Sequence, residues 1–121
     1  MPQKYPKGWD WEKQAKPNSL SMHGMAPDRI GFYELGFMRH GVFEAQYCGR
    51  AMGITLRERL KQHYMHSHNA NVRANAASLY YRCKALSTPE IAAYVEAVHI
   101  AAMDYPWNKR NEWAQHWALE T

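Results

Sequence analysis

The stretch from Ile30 to Gly49 constrains this chain most. Two runs of strand-favouring residues flank a short polar break, Arg39-His40-Gly41, which predicts a β-hairpin. A three-residue loop there pairs Phe37 with Phe43, Leu35 with Ala45 and Tyr33 with Tyr47. Because side chains alternate along a strand, Tyr33, Leu35 and Phe37 then share a face with Tyr47, Ala45 and Phe43. The two tyrosines face each other directly, an arrangement that by itself suits core packing with the hydroxyls at the sheet edge.

Beyond the hairpin the chain reads as helix, strand and helix. Thr55-Leu56-Arg57-Glu58 has capping-box spacing, so a helix starts near Leu56 and buries the stripe Leu56, Leu60 and Tyr64. Arg59 and His63 stand one turn apart on a neighbouring face, where both can converge on one anion. Between residues 50 and 73 five basic residues (Arg50, Arg57, Arg59, Lys61, Arg73) meet one acidic residue (Glu58), which makes a solvated cationic face or a site for a polyanion. Asn69 to Ala77 is open between short helix and loop. Leu79 to Leu86 predicts a third strand, and Ser87-Thr88-Pro89-Glu90 a second helix start, with Ser87 as the cap. From Ile91 to Met103 that helix carries one charged residue, Glu96. A lone carboxylate among apolar residues has to be protonated, paired with a cation or holding a metal, and a salt bridge to an arginine is the plainest of the three.

The 121 residues fit one domain, and no apolar run reaches membrane-spanning length or forms a signal-peptide core, so an intracellular protein without membrane insertion is expected. Cys48 and Cys83 lack metal or redox spacing and read as reduced core thiols. The net charge of +4 admits a polyanionic partner. Residues 1–28, with Pro2, Pro6, Pro17 and Pro27, read as an irregular arm anchored by Trp9 and Trp11. Residues 29–110 form the expected core, and 111–121 a short helical tail that packs Trp113 and Trp117 on it. The fold class is α+β: a three-stranded antiparallel sheet flanked by helices.

In order, Gly31-Phe32-Tyr33, Tyr47-Cys48-Gly49, Arg59 with His63, Glu96 and Asn108 resemble the GIY-YIG nuclease family over about residues 30–110. Phe32 and Cys48 replace the family's isoleucines, and Arg59-Leu-Lys-Gln-His63 matches its Arg-x-x-x-His. The resemblance implies a DNA endonuclease with one divalent ion, Mg²⁺ or Mn²⁺, on Glu96. It also implies Arg59 as the phosphate clamp, Tyr33 as general base or water-positioning group and Tyr47 as its support. His63 is then the proton relay, and Asn108 helps orient the substrate. Arg57 rivals Arg59, which is preferred because only it has His63 four residues on. Arg50, Arg57, Lys61, Arg73 and Lys109 are the cations expected to meet the DNA backbone, with a catalytic part for Arg50 left open. Two other readings stand beside this one: a module of the same fold that holds nucleic acid without cutting it, and a metal-binding protein built on His63, His66 and His68 with His40 or His23.

Overall fold

A computed structural model of the chain describes residues 9–15 and 26–108. The elements are β1 (Lys13–Ala15), β2 (Gly31–Arg39), β3 (Val42–Ala51), α1 (Leu56–His66), α2 (Ala70–Asn75), a single 3₁₀ turn (Ala76–Ser78), β4 (Tyr80–Ala85) and α3 (Pro89–Ala102). The described residues form an α+β arrangement, with one antiparallel sheet ordered β1-β4-β2-β3 and three α-helices. The sheet has four strands rather than the expected three, because the arm supplies β1, whose Lys13, Gln14 and Ala15 pair with Cys83, Arg82 and Tyr81. Three residues without alternation carry no strand signal of their own; the pairing partner makes them a strand. None of the described helices is long and apolar enough to cross a membrane. The expected tail helix at 111–121 and the cation Lys109 lie outside the described residues.

The hairpin forms, in a different register. Arg39 pairs with Val42, leaving a two-residue turn of His40 and Gly41, both at positive φ (53° and 76°) as in the type I′ turn that matches strand twist. Leu35 then pairs with Tyr47 but Gly36 with Ala45, so Gln46 is a bulge residue. The bulge reverses the facing of the strand. Tyr47 stays on the face of Tyr33, Leu35 and Phe37, while Ala45 and Phe43 pass to the other face with Phe32 and Cys48. Tyr33 lies opposite Gly49, so the two tyrosines are diagonal neighbours, with ring centres 6.4 Å apart.

Each face carries its own core. On the first, α1 sets Leu56 and Leu60 against Tyr33, Leu35, Tyr81 and Cys83, with Val72 and Leu79 completing the cluster. The Thr55 side chain accepts from Glu58 N–H, as the capping box requires. Two further N–H groups of the first turn are satisfied by the arm, Leu56 donating to Arg29 O (2.7 Å) and Arg57 to Pro27 O (3.1 Å). On the second face α3 lays Val95, Ile100 and Met103 over Phe32, Cys48 and Ala45. The cap of α3 is Thr88, not Ser87, since Thr88 Oγ1 reaches Ile91 N–H with Pro89 opening the helix. Trp9 and Trp11 do anchor the arm, packing against Phe32 and His99. Cys48 and Cys83 are buried thiols in separate cores, not joined in a disulfide.

A buried carboxylate that no sequence pattern marks sits in this second layer. Glu34 is fully buried on β2, bonded to Arg82 (3.0 Å) and to the Tyr105 hydroxyl (2.5 Å), and the Arg82 guanidinium lies over the Phe43 and Trp11 rings. A buried charge is tolerated only when paired and hydrogen-bonded in this way.

Candidate active site

The first face of the sheet meets α1 at a cluster of polar rings. From α1, His63 points inward because it lies one turn beyond Arg59 and beside the buried Leu60. Its Nε2 is 2.6 Å from the Tyr33 hydroxyl and its Nδ1 is 2.8 Å from Ser67 Oγ. Tyr47 stands over the same imidazole, with ring centres 5.3 Å apart, and its hydroxyl lies 3.5 Å from His68 Nε2. Arg59 borders the cluster. One terminal nitrogen donates to Gln62 (3.2 Å), whereas its Nε is buried without a hydrogen-bond partner. A cavity of about 160 Å³ opens here, lined by Arg59, Gln62, His63, His66, Ser67 and His68.

Glycine at both triplets has a steric reason. A Cβ on Gly49 would run into the Tyr33 ring, and one on Gly31 into the Lys84 carbonyl and Leu56. The Tyr-Cys-Gly spacing therefore makes room on β3 for the tyrosine of β2.

Burial governs the electrostatics. It pushes the Tyr33 phenol well above its usual range, against the opposing pull of Arg59. Tyr47 rises to about 12 for the same reason, and His63 falls to about 3 through burial and the positive potential of His68 and Arg59. At neutral pH His63 is therefore uncharged and Tyr33 keeps its proton. In the free protein the Tyr33 hydroxyl is therefore a hydrogen-bonding group.

The remaining residues divide. Glu96, on α3, pairs with Arg50 at 3.1 Å; burial raises its carboxyl pKa and Arg50 lowers it. Glu96 and Arg59 both act on the two tyrosines through space. Asn108 is engaged with β3. Its Oδ1 accepts from Cys48 N–H (2.9 Å) and its Nδ2 donates to Cys48 O (3.0 Å), so it is spent on fixing β3. Arg57 is turned away, its Nε donating to Ala26 O (3.0 Å), and Arg73 holds Ser67 O (2.7 Å). Arg50 and Arg73 thus have protein partners, whereas Lys61 lines an open groove with Glu58, Gln62, Met65 and His66. Among the described residues no three His, Cys, Asp or Glu side chains gather as a metal site, so His63, His66, His68 and His40 do not form one; His23 lies outside. His63 is committed to Tyr33 and Ser67 instead.

Ser67 and Asn69 join His68 in the cluster, although the sequence marks neither as a candidate. Ser67 stands one helical turn beyond His63, and that spacing is the signal that could have found it. Compared with family models, curated proteins and solved structures, the chain matches none.

Proposed function

We propose that the protein is a metal-dependent DNA endonuclease of the GIY-YIG kind. The observation that carries this reading is the convergence of Tyr33, Tyr47, Arg59 and His63, drawn from two strands and a helix, on one cavity-lined corner of the sheet. Arg59 suits a phosphate because its buried Nε lacks an acceptor, and a guanidinium presents parallel donors to phosphoryl oxygens. The neutral His63 and the tyrosine hydroxyls supply hydrogen bonds without adding charge, which suits holding and orienting a water. Gly49 and Asn108 keep β3 where Tyr47 meets the His63 imidazole.

The donors fit one hard divalent ion in a limited way. Glu96 offers a single carboxylate, and Mg²⁺ commonly takes one or two, completing its shell with water and substrate phosphate. Arg50 favours the ionised form of that carboxylate against the burial that raises its pKa, and with Arg59 it leaves the region net positive, so a phosphate is favoured first. A cation on Glu96 would supply positive charge to the phosphoryl and leaving oxygens.

Burial of Tyr33, 2% exposed, favours a second reading, a nucleic-acid-binding module without cleavage. Incubating plasmid DNA with the purified protein and Mg²⁺ or Mn²⁺ separates the two. The nuclease reading expects EDTA-sensitive cutting that folded Glu96→Ala abolishes. Gel shifts without any cutting would establish the module, and wild-type cutting by Glu96→Ala would remove Glu96 from the chemistry.

A further inference from the structure

The cluster holds a chain of hydrogen bonds whose direction can be worked out from its far end. Ser67 is buried, and its Oγ has two partners, Asn69 N–H at 3.1 Å and His63 Nδ1 at 2.8 Å. A backbone N–H can only donate, so Asn69 occupies a lone pair of Oγ. Between these two partners, the hydroxyl proton finds an acceptor only at His63 Nδ1. A neutral imidazole carries one proton, and with Nδ1 accepting, that proton sits on Nε2. Nε2 must therefore donate to Tyr33 Oη, 2.6 Å away. The Tyr33 proton is then directed away from His63.

We propose that Ser67 is a positioning residue: its hydroxyl fixes His63 as the Nε2–H tautomer, which makes His63 a donor to Tyr33 and turns the Tyr33 hydroxyl proton away from His63. His63 then does not take the Tyr33 proton. It supports the tyrosine oxygen from behind, and Tyr33 becomes the phenol at the end of a donor chain that starts at a backbone amide. The groups facing His63 are Tyr33 and Tyr47 from the sheet, Arg59 from its own helix, and Ser67 and His68 from the turn after that helix. The depressed pKa of His63 keeps it neutral through the working pH range, so the tautomer is the variable that matters.

The direction of the chain stands whether or not the protein cuts DNA; only its effect on rate rests on the nuclease reading. The test is long-range ¹H–¹⁵N NMR of the His63 ring at pH 7 in the full chain. Wild type is expected to show protonated Nε2 and unprotonated Nδ1, Ser67→Thr the same, and Ser67→Ala a shift towards the Nδ1–H form. Ser67→Cys, with a weaker donor in nearly the same volume, is expected in between, and it serves if the alanine variant fails to fold. A wild-type ring protonated at Nδ1, or a tautomer unmoved in folded Ser67→Ala or Ser67→Cys, overturns the proposal. In cleavage assays Ser67→Ala is expected to lower kcat about tenfold at unchanged KM, the worth of one neutral hydrogen bond, with rescue by Ser67→Thr. If the NMR pattern holds and no variant, wild type included, cuts DNA, the nuclease reading fails while the proton arrangement stands.

Discussion

Placing a methyl group on Gly49 tests the site from its steric side. The Cβ of Gly49→Ala would stand 2.6 Å from Tyr33 Cζ and 3.1 Å from Cε1, where ordinary contact begins at 3.4 Å. The ring must retreat by about 0.8 Å or more to reach normal contact distance. Its hydroxyl moves with it, and the 2.6 Å bond to His63 is stretched towards its outer limit. Overpacking costs about 1–3 kcal/mol and the weakened buried hydrogen bond about 0.5–1.5 kcal/mol, so urea unfolding should show a loss of about 2–4 kcal/mol. The decisive measurement is a double-mutant cycle. In a Tyr33→Leu background the ring is gone, and alanine replaces glycine in a strand interior, which is neutral or stabilising by up to about 1 kcal/mol. The sign of the Gly49→Ala effect should thus reverse between backgrounds. An equal cost in both would refute the argument that Gly49 exists to accommodate Tyr33.

Three further outcomes are expected. Arg59→Lys should cut DNA almost as poorly as Arg59→Ala, since lysine keeps the charge without the planar fork, while Arg57→Ala should cut normally and lose only about 1 kcal/mol in thermal unfolding with its bond to Ala26; the reverse pattern would move the phosphate clamp to Arg57. Asn108→Asp keeps an acceptor for Cys48 N–H but sets a carboxylate against Cys48 O, so it should destabilise by about 1–3 kcal/mol, and an unchanged unfolding midpoint would disprove the pairing. His63 titrates near 3 when folded and near 6.5 when unfolded, so the unfolded chain binds the extra proton between those values. The stability this contributes is full above about pH 6.5 and declines as pH falls towards 3; His63→Asn should flatten that part of the acid-unfolding curve.

Local signals in the sequence carry a large part of the fold. Capping at Thr55, the Leu56–Leu60 stripe and the strand at Leu79–Leu86 are short-range patterns, and the structure has them with shifted ends. The hairpin is legible, but its register is not. Arg39 could belong to strand or turn, and the bulge at Gln46 changes facing with Gly36 on the opposite strand as its one local mark, where a Cβ would meet the Glu44 carbonyl. β1 is hidden because its strand character comes from β4 across the sheet. At the site, the Arg59–His63 spacing is enough to bring those two side chains together, and the lone Glu96 finds a cation as a buried carboxylate must, in Arg50. Glu34 is silent because an isolated carboxylate in a strand looks like a solvent-facing residue until Arg82 and Tyr105 are seen around it. Asn108 suggests chemistry by its place in the motif, whereas its carboxamide, which mimics a peptide group, serves a strand.

That mimicry has a bearing on how the protein behaves in concentrated solution. β3 is the outermost strand on its side of the sheet, and such a rim is a template on which another chain can add a strand. Here Trp107 N–H caps Gln46 O at 2.9 Å and the Asn108 amide covers both backbone groups of Cys48, so the rim is occupied by the chain's own returning segment. The opposite rim, β1, is only three residues long. A version of the chain cut after Pro106, which keeps Tyr105 on Glu34, would uncover the Gln46–Cys48 stretch and should self-associate through it, forming soluble oligomers or precipitate at concentrations where the intact chain stays monodisperse.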